Sequence, residues 1–506
     1  MVAKTIDLGE WAPDSYVSRE GIMTDVINLI PALEGYKGVK SFTPSTQPLP
    51  DFDDGYEQEC YPRNAKSFIR ADKEVITVVG TDKNLYLRRG ETGWENVSKT
   101  GGYDTSDSRW KFALFGDLLI ATNYADPVQC LDLSNDYAKF EDLSDTAPKA
   151  RDLAVVNEFL VLVGTNDIYD GERPQRVWWS PIGDPQGTWV PNQTTMCDYQ
   201  DIFSGSYITG IVGGEDALIL LRDALVRMTF VGSPIVFQFQ TITDSFGNLG
   251  YSTYADLEGS VFFLSADGFK QYMNGTVESI GLGKVDNFVV TDTLGQIMSE
   301  SIAVVDRRNN CVWWAYRDKS ADEIAYMRIT TRAVVYHYPS KRWGKVHCRL
   351  VCFCGTDTTG YTLDELDSVN THVDELPYSL DSEAWRGGVP VLSGFSSDGR
   401  FGYFLGDLYP GELTTGNFPL DEAHGRTFMR RIRPRVDGRD VTMQVAVSGI
   451  QEETDEREFT GFVNKTRVGD FPFRVTGRFH AIKMKISGAF LRIMGFLLDF
   501  DSAGEY

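Results

Sequence analysis

The chain is poor in the residues on which metal and nucleophile chemistry usually rests. It has 5 histidines in 506 residues, too scattered to form a cluster. No Ser-His-Asp order stands out, and there is no G-x-x-x-x-G-K phosphate loop. The 7 cysteines follow no zinc spacing. The densest group, "CRLVCFC", holds Cys348, Cys352 and Cys354 but lacks a fourth ligand in register and sits among apolar neighbours, so buried free thiols on a strand are expected. These shortages set the expectation of a non-enzymatic chain without cofactor or metal.

Long apolar runs are also missing. No window approaches the roughly 18 apolar residues of a membrane span, and "MVAKTIDLGEWAPD" carries no apolar core of a signal peptide. Positive charge is short: 49 Lys and Arg face 72 Asp and Glu, a net charge of −23. So acidic a chain does not grip a phosphate backbone over most of its surface, although it can surround DNA without holding it.

What is present points to β-structure. Hydrophobic residues reach 42% and charged residues 24%, proportions of a globular chain with a core, and aromatics reach 12%, which favours pleated surfaces. Apolar runs beginning at Val75, Leu118, Leu160, Leu218, Val261 and Cys311 are each followed by turn residues and a second run, at offsets of 43, 42, 58, 43 and 50 residues. Propeller blades of four strands repeat at roughly 40 to 50 residues. Each run reads as an inner strand buried on both faces. In "NLYLRR" the strand that follows alternates. "EDALILLRDALVRM" has the composition of a helix, but its place in the repeat predicts a hairpin turning at Arg222-Asp223. "SADGFKQY" and "SSDGRFGY" share an Asp-Gly turn at equal spacing, which a hairpin explains.

"RVWWSPIGDPQGTW", residues 176–189, has the look of an aromatic platform for a sugar. Adjacent residues on a strand face opposite ways, so Trp178 and Trp179 cannot share one surface. Trp313-Trp314 repeats the pair in another blade. Packing between blades is the expectation for both. A carboxylate-rich stretch with Asp364, Glu365, Asp367, Asp374, Glu375, Asp381 and Glu383 beside Trp385 raises the alternative of a glycan-binding or glycan-degrading propeller, since paired carboxylates serve glycoside hydrolysis. Such density more often caps turns and stays solvated.

The ends differ from the middle. Residues 1–60 carry Pro31, Gly35 and Gly38 among unperiodic apolar residues and read as an extended arm. Residues 61–424 read as a propeller of six or seven blades. Residues 425–506 read as a β-sandwich-like domain with 14 Lys and Arg against 11 Asp and Glu, a balance of +3, which leaves −26 on the rest. In "RRIRPR", Arg431, Arg433 and Arg435 fall on one strand face by period-two alternation. Such a face is solvated, or is the candidate contact with an acidic subunit or adaptor surface, or meets nucleic acid.

In order and position, "NLIPALEGYKGVKSF", "RVWWSPIGDPQGTW", "YTLDELD…ELPYSLDSEAWRGG" and "GRFHAIKMKISGAFLRIMGFLLDFD" resemble the tail hub, or nozzle, family of short-tailed bacteriophages, the packaged-DNA stabilisation proteins. The resemblance spans nearly the whole chain. It implies a propeller body with a C-terminal β-domain and a homohexameric ring below the portal and its adaptor, in contact with needle, spike or fibre proteins. It also implies a central channel through which DNA passes without specific binding. It further implies a virion protein assembled in the host cytoplasm, and it brings no catalytic residues.

Overall fold

The computed structural model describes residues 2–18, 21–50, 52, 61–71, 73–89, 93–104, 109–296, 298–320, 329–358, 385, 388–421 and 425–503. The fold is a β-propeller with a C-terminal sheet region. Six blades are separate four-stranded antiparallel sheets. In chain order, the innermost strands of the first five are Asn64–Ile69, Lys111–Phe115, Lys149–Val156, Ile208–Val212 and Tyr254–Leu257. A further four-strand unit, Ile302–Asp306, Cys311–Tyr316, Thr330–His337 and Arg342–Leu350, takes the sixth place in the ring and runs on through Leu29–Pro31 into the C-terminal sheet. The last blade begins with Cys352–Asp357, which packs against Asn64–Ile69 of the first and so closes the circle.

The apolar runs are second strands, not innermost ones. Val75–Gly80 is buried at every position, and so is Cys311–Tyr316. A second strand lies between two blades and between two strands of its own sheet, so every surface is dry. The innermost strand has one side on the axis, where polar groups are tolerated. That is why the pattern placed the inner strand one step too late. The expected hairpin is present: Asp216–Leu221 pairs antiparallel with Leu225–Phe230 around Arg222-Asp223.

The tryptophan pairs pack between blades. Trp178 and Trp179 lie on the third strand of blade three, covered by Asp198–Asp201. Trp178 joins Ile120 and Cys130 of blade two, while Trp179 joins Ile219 and Val226 of blade four. In the sixth unit Trp313 faces Phe353 and Phe404 of the last blade, and Trp314 faces Phe262 and Phe269 of blade five. Cys348, Cys352 and Cys354 are buried free thiols.

The first 60 residues run along the body as paired strands. Lys40–Pro48 is the fourth strand of the last blade, paired with Arg400–Leu408. Val2–Asp7 pairs with the end of the chain, Val2 opposite Phe500. Ile22–Ile27 pairs with Gly411–Thr415. The C-terminal sheet thus recruits strands from before residue 425 as well. "KSFTPSTQP" hides its role because most of its residues are half-buried, so no alternation marks it.

Two strands of 24 residues, Thr427–Ile450 and Phe479–Ser502, form the C-terminal sheet. Their register shifts repeatedly between Arg435 and Val441. Bulges of this kind bend a strand. At the bend Gly488 has φ +100, and a Cβ there would lie 2.2 Å from the Asp440 carbonyl. Met429, Ile432, Val445, Val447, Ile482, Met484, Phe496 and Leu498, from both sides of the bend, share one core, which extends to Trp11, Tyr36 and Trp343. That shared core joins the C-terminal sheet to blade five and the sixth unit.

Candidate functional site

Propellers offer two places for function: the axis and the outer faces. Here a side-chain network links the inner strands of blades two to five. Tyr254 leaves the innermost strand of blade five and passes over Gly210 of blade four, where a Cβ would meet its ring at 2.4 Å. The hydroxyl then donates to Asp152 of blade three. Lys111 of blade two completes the group, 3.4 Å from Asp152 and donating to the Tyr254 oxygen at 3.3 Å, with its ammonium 4.7 Å from the ring centre. Asp152 also accepts from the backbone of Leu153 at 2.9 Å and Ile211 at 3.4 Å. Burial first, then the Asp152 charge and hydrogen bond, push the Tyr254 phenol well above its usual pKa. The phenol therefore stays protonated and donates.

Lys66 of blade one stands in the same axial space and donates to the Phe112 carbonyl at 3.0 Å. Its side chain reaches water, yet protein surrounds it, and the desolvation lowers its pKa against the attraction of Asp152. Asp256 is raised by the same desolvation, opposed by Lys66 and Arg307. Four blades contribute Lys66, Lys111, Asp152, Tyr254 and Asp256. Lys66 and Asp256 remain exposed to water there, beside the linked group of Lys111, Asp152 and Tyr254.

A second regularity recurs from unit to unit. Each of the seven units carries an aspartate at the turn between its second and third strands: Asp82, Asp126, Asp167, Asp223, Asp267, Asp318 and Asp398. Each ties its turn down. Asp82 pairs with Arg63 at 2.5 Å, Asp223 accepts from the Ser206 backbone at 2.7 Å, and Asp318 accepts from Thr331 at 2.7 Å. Asp167 accepts from two backbone N–H groups and from the buried Arg176. The echo between "SADGFKQY" and "SSDGRFGY" was two-sevenths of this pattern. The other five turns vary in length and hide it.

The arginine face is on the C-terminal sheet. Arg431, Arg433 and Arg435 are all exposed, with Ile432 buried between the first two. The alternation read from "RRIRPR" holds there. The three differ electrically. Arg431 lies 3.4 Å from Asp470 and 3.7 Å from Asp499, and Arg435 reaches across Gly495 to Asp7 at 2.6 Å. Arg433 faces Leu497 and Thr5 and has no ion pair among the described residues. Arg474, exposed on the neighbouring strand Phe471–Gly477, has none there either.

Asp364, Glu365, Asp367, Asp374, Glu375, Asp381 and Glu383 lie outside the described residues. Trp385 packs, partly buried, against the core of the last blade. Among the described residues no group of His, Cys, Asp and Glu is arranged to hold a metal, and no helix is long and apolar enough to cross a membrane.

No family model matches the chain, and no curated protein matches it. Solved structures with a similar course include the computationally designed protein Ika8, at 11% identity over 79% of this chain and 100% of that one, with a TM-score of 0.37. Another is the extracellular domain of BT4673 of B. thetaiotaomicron, a candidate one-component system, at 11% identity over 84% of this chain with a TM-score of 0.39. The match spans 48% of that second chain. The class the fold defines is that of β-propeller proteins with an appended C-terminal sheet.

Proposed function

We propose that this chain is a structural virion protein of a short phage tail. It is a ring-forming hub, or nozzle, that extends the DNA exit channel below the portal and adaptor and helps retain the packaged genome. The observation that carries the reading is the charge layout: a balance of −26 over residues 1–424, against +3 over residues 425–506, where an exposed arginine face stands on a braced sheet. Acidic walls repel phosphates and keep a duplex mobile. The arginine face supplies a surface for an acidic partner, the adaptor or a neighbouring copy, with Arg431, Arg433 and Arg435 as its contacts. In this reading the channel is the space enclosed by the ring of copies. The same layout supports no catalytic role, and none is assigned.

The test is the triple change Arg431→Glu, Arg433→Glu and Arg435→Glu, followed by co-sedimentation with purified adaptor. A desolvated charge left facing its like costs several kcal/mol, so docking weakens several-fold or more. Unchanged docking and unchanged oligomeric mass reject the arginine face as a contact.

A further inference from the structure

Between the sixth unit and the last blade lies a cleft of about 500 Å³, within the usual range of ligand pockets. One side is apolar and aromatic: Phe42, Phe404, Tyr409, Cys348 and Leu350. Phe42 and Phe404 stand edge to face at 5.7 Å, and the Tyr409 oxygen accepts from the Phe42 backbone at 3.2 Å. The other side is polar: Arg332, His347, Arg349, Asp318, Ser320 and Thr331.

The polar side has one cation without an ion pair among the described residues. Arg332 is clamped between Asp292 and Asp318. Partial desolvation first, then the cations of Arg332 and Lys345, lower the His347 pKa, so that ring is neutral near pH 7. Arg349 is exposed and has no ion pair among the described residues. It sits where the register between Thr330–His337 and Arg342–Leu350 shifts, and a bulge re-aims the side chain it carries. The strand Leu29–Pro31 pairs along this edge only at Lys345, so the stretch holding Arg349 is left open. An exposed guanidinium without an ion pair, beside an aromatic pocket, offers a carboxylate a charge-assisted hydrogen bond.

We propose that this cleft binds an apolar carboxylate: an aromatic or branched aliphatic group against Phe42 and Phe404, with its carboxylate on the Arg349 guanidinium. A free small acid and the C-terminal residue of a partner chain share this chemistry. The inference is independent of the phage-tail reading.

The test uses the full chain and two probes, 3-phenylpropionate and a hexapeptide ending in Phe with a free carboxylate, followed by ligand-observed NMR and calorimetry. Binding is expected, weakened at least about tenfold by Arg349→Gln or by amidating the peptide terminus, since a charge-assisted hydrogen bond is lost. Arg349 is exposed, so an unchanged melting temperature shows that the variant is folded. The better-bound probe identifies the source: tighter binding of the peptide marks a partner's C-terminus, and tighter binding of the small acid a metabolite. Absence of binding by both probes at low-millimolar concentration overturns the site. So does binding that Arg349→Gln leaves unchanged.

Discussion

The Tyr254 hydroxyl of blade five donates a hydrogen bond to the Asp152 carboxylate of blade three, passing over Gly210 of blade four. The bond needs Gly210 in between, because any larger residue on blade four collides with the ring. One contact therefore couples three blades, and Lys111 brings in a fourth. Tyr254→Phe keeps the packing and removes the donor. It is expected to lower stability by about 1–3 kcal/mol, the cost of an under-satisfied buried acceptor, seen as a drop in melting midpoint. Gly210→Ala is expected to cost more. Equal melting of Tyr254→Phe and the parent protein would show that this bond does not hold the blades together.

The bent ribbon of the C-terminal sheet makes a second demand. At Gly488, φ is +100 and a Cβ would sit 2.2 Å from the Asp440 carbonyl, whereas at Gly116, φ +61, a Cβ meets nothing within 4 Å. Gly116→Ala pays only for the backbone conformation, about 1 kcal/mol. Gly488→Ala adds a clash with backbone and is expected to destabilise by several times as much, or to cut soluble yield. Denaturant midpoints of the two variants, measured side by side, check the order.

Acid sensitivity follows from His480. The ring is fully buried, its Nε2 lies 2.8 Å from the Thr427 hydroxyl, and burial lowers its pKa to about 4. The unfolded value is near 6.5. A lowered histidine pKa contributes stability that is complete above the unfolded value. As pH falls from about 6.5 toward 4, the unfolded chain binds a proton that the folded chain refuses, and about 3 kcal/mol is lost. His337, lowered to about 4 chiefly by burial, adds to the same slope. Melting midpoints between pH 7 and pH 4 should fall steeply in the parent and less steeply in His480→Gln. Parallel profiles would remove His480 as the cause.

Much of the fold was legible because apolar runs mark second strands, which are dry on all sides. Trp178-Trp179 and Trp313-Trp314 were legible for a related reason: strand alternation sends adjacent side chains to opposite faces, whatever the tertiary context. The closing strand Lys40–Pro48 was not legible, since most of an outermost strand is half-exposed and carries no period. The group of side chains on the inner strands was not legible either. Lys66, Lys111, Asp152 and Tyr254 come from four blades, spread over almost 190 residues, and only the closing of the ring brings them together. Arg431, Arg433 and Arg435 could be placed on one face from their spacing, but the partners Asp7 and Asp470 are remote in sequence, so the odd position of Arg433 among them emerged only from the sheet register.

The most direct measurement of the central claim is the DNA content of particles assembled without this chain. If the chain extends and secures the exit channel, such particles package DNA and then lose it, and adding the purified protein before release preserves the genome. Particles that keep their genomes and differ only in adsorption to cells would contradict the conduit role and favour a receptor-binding one.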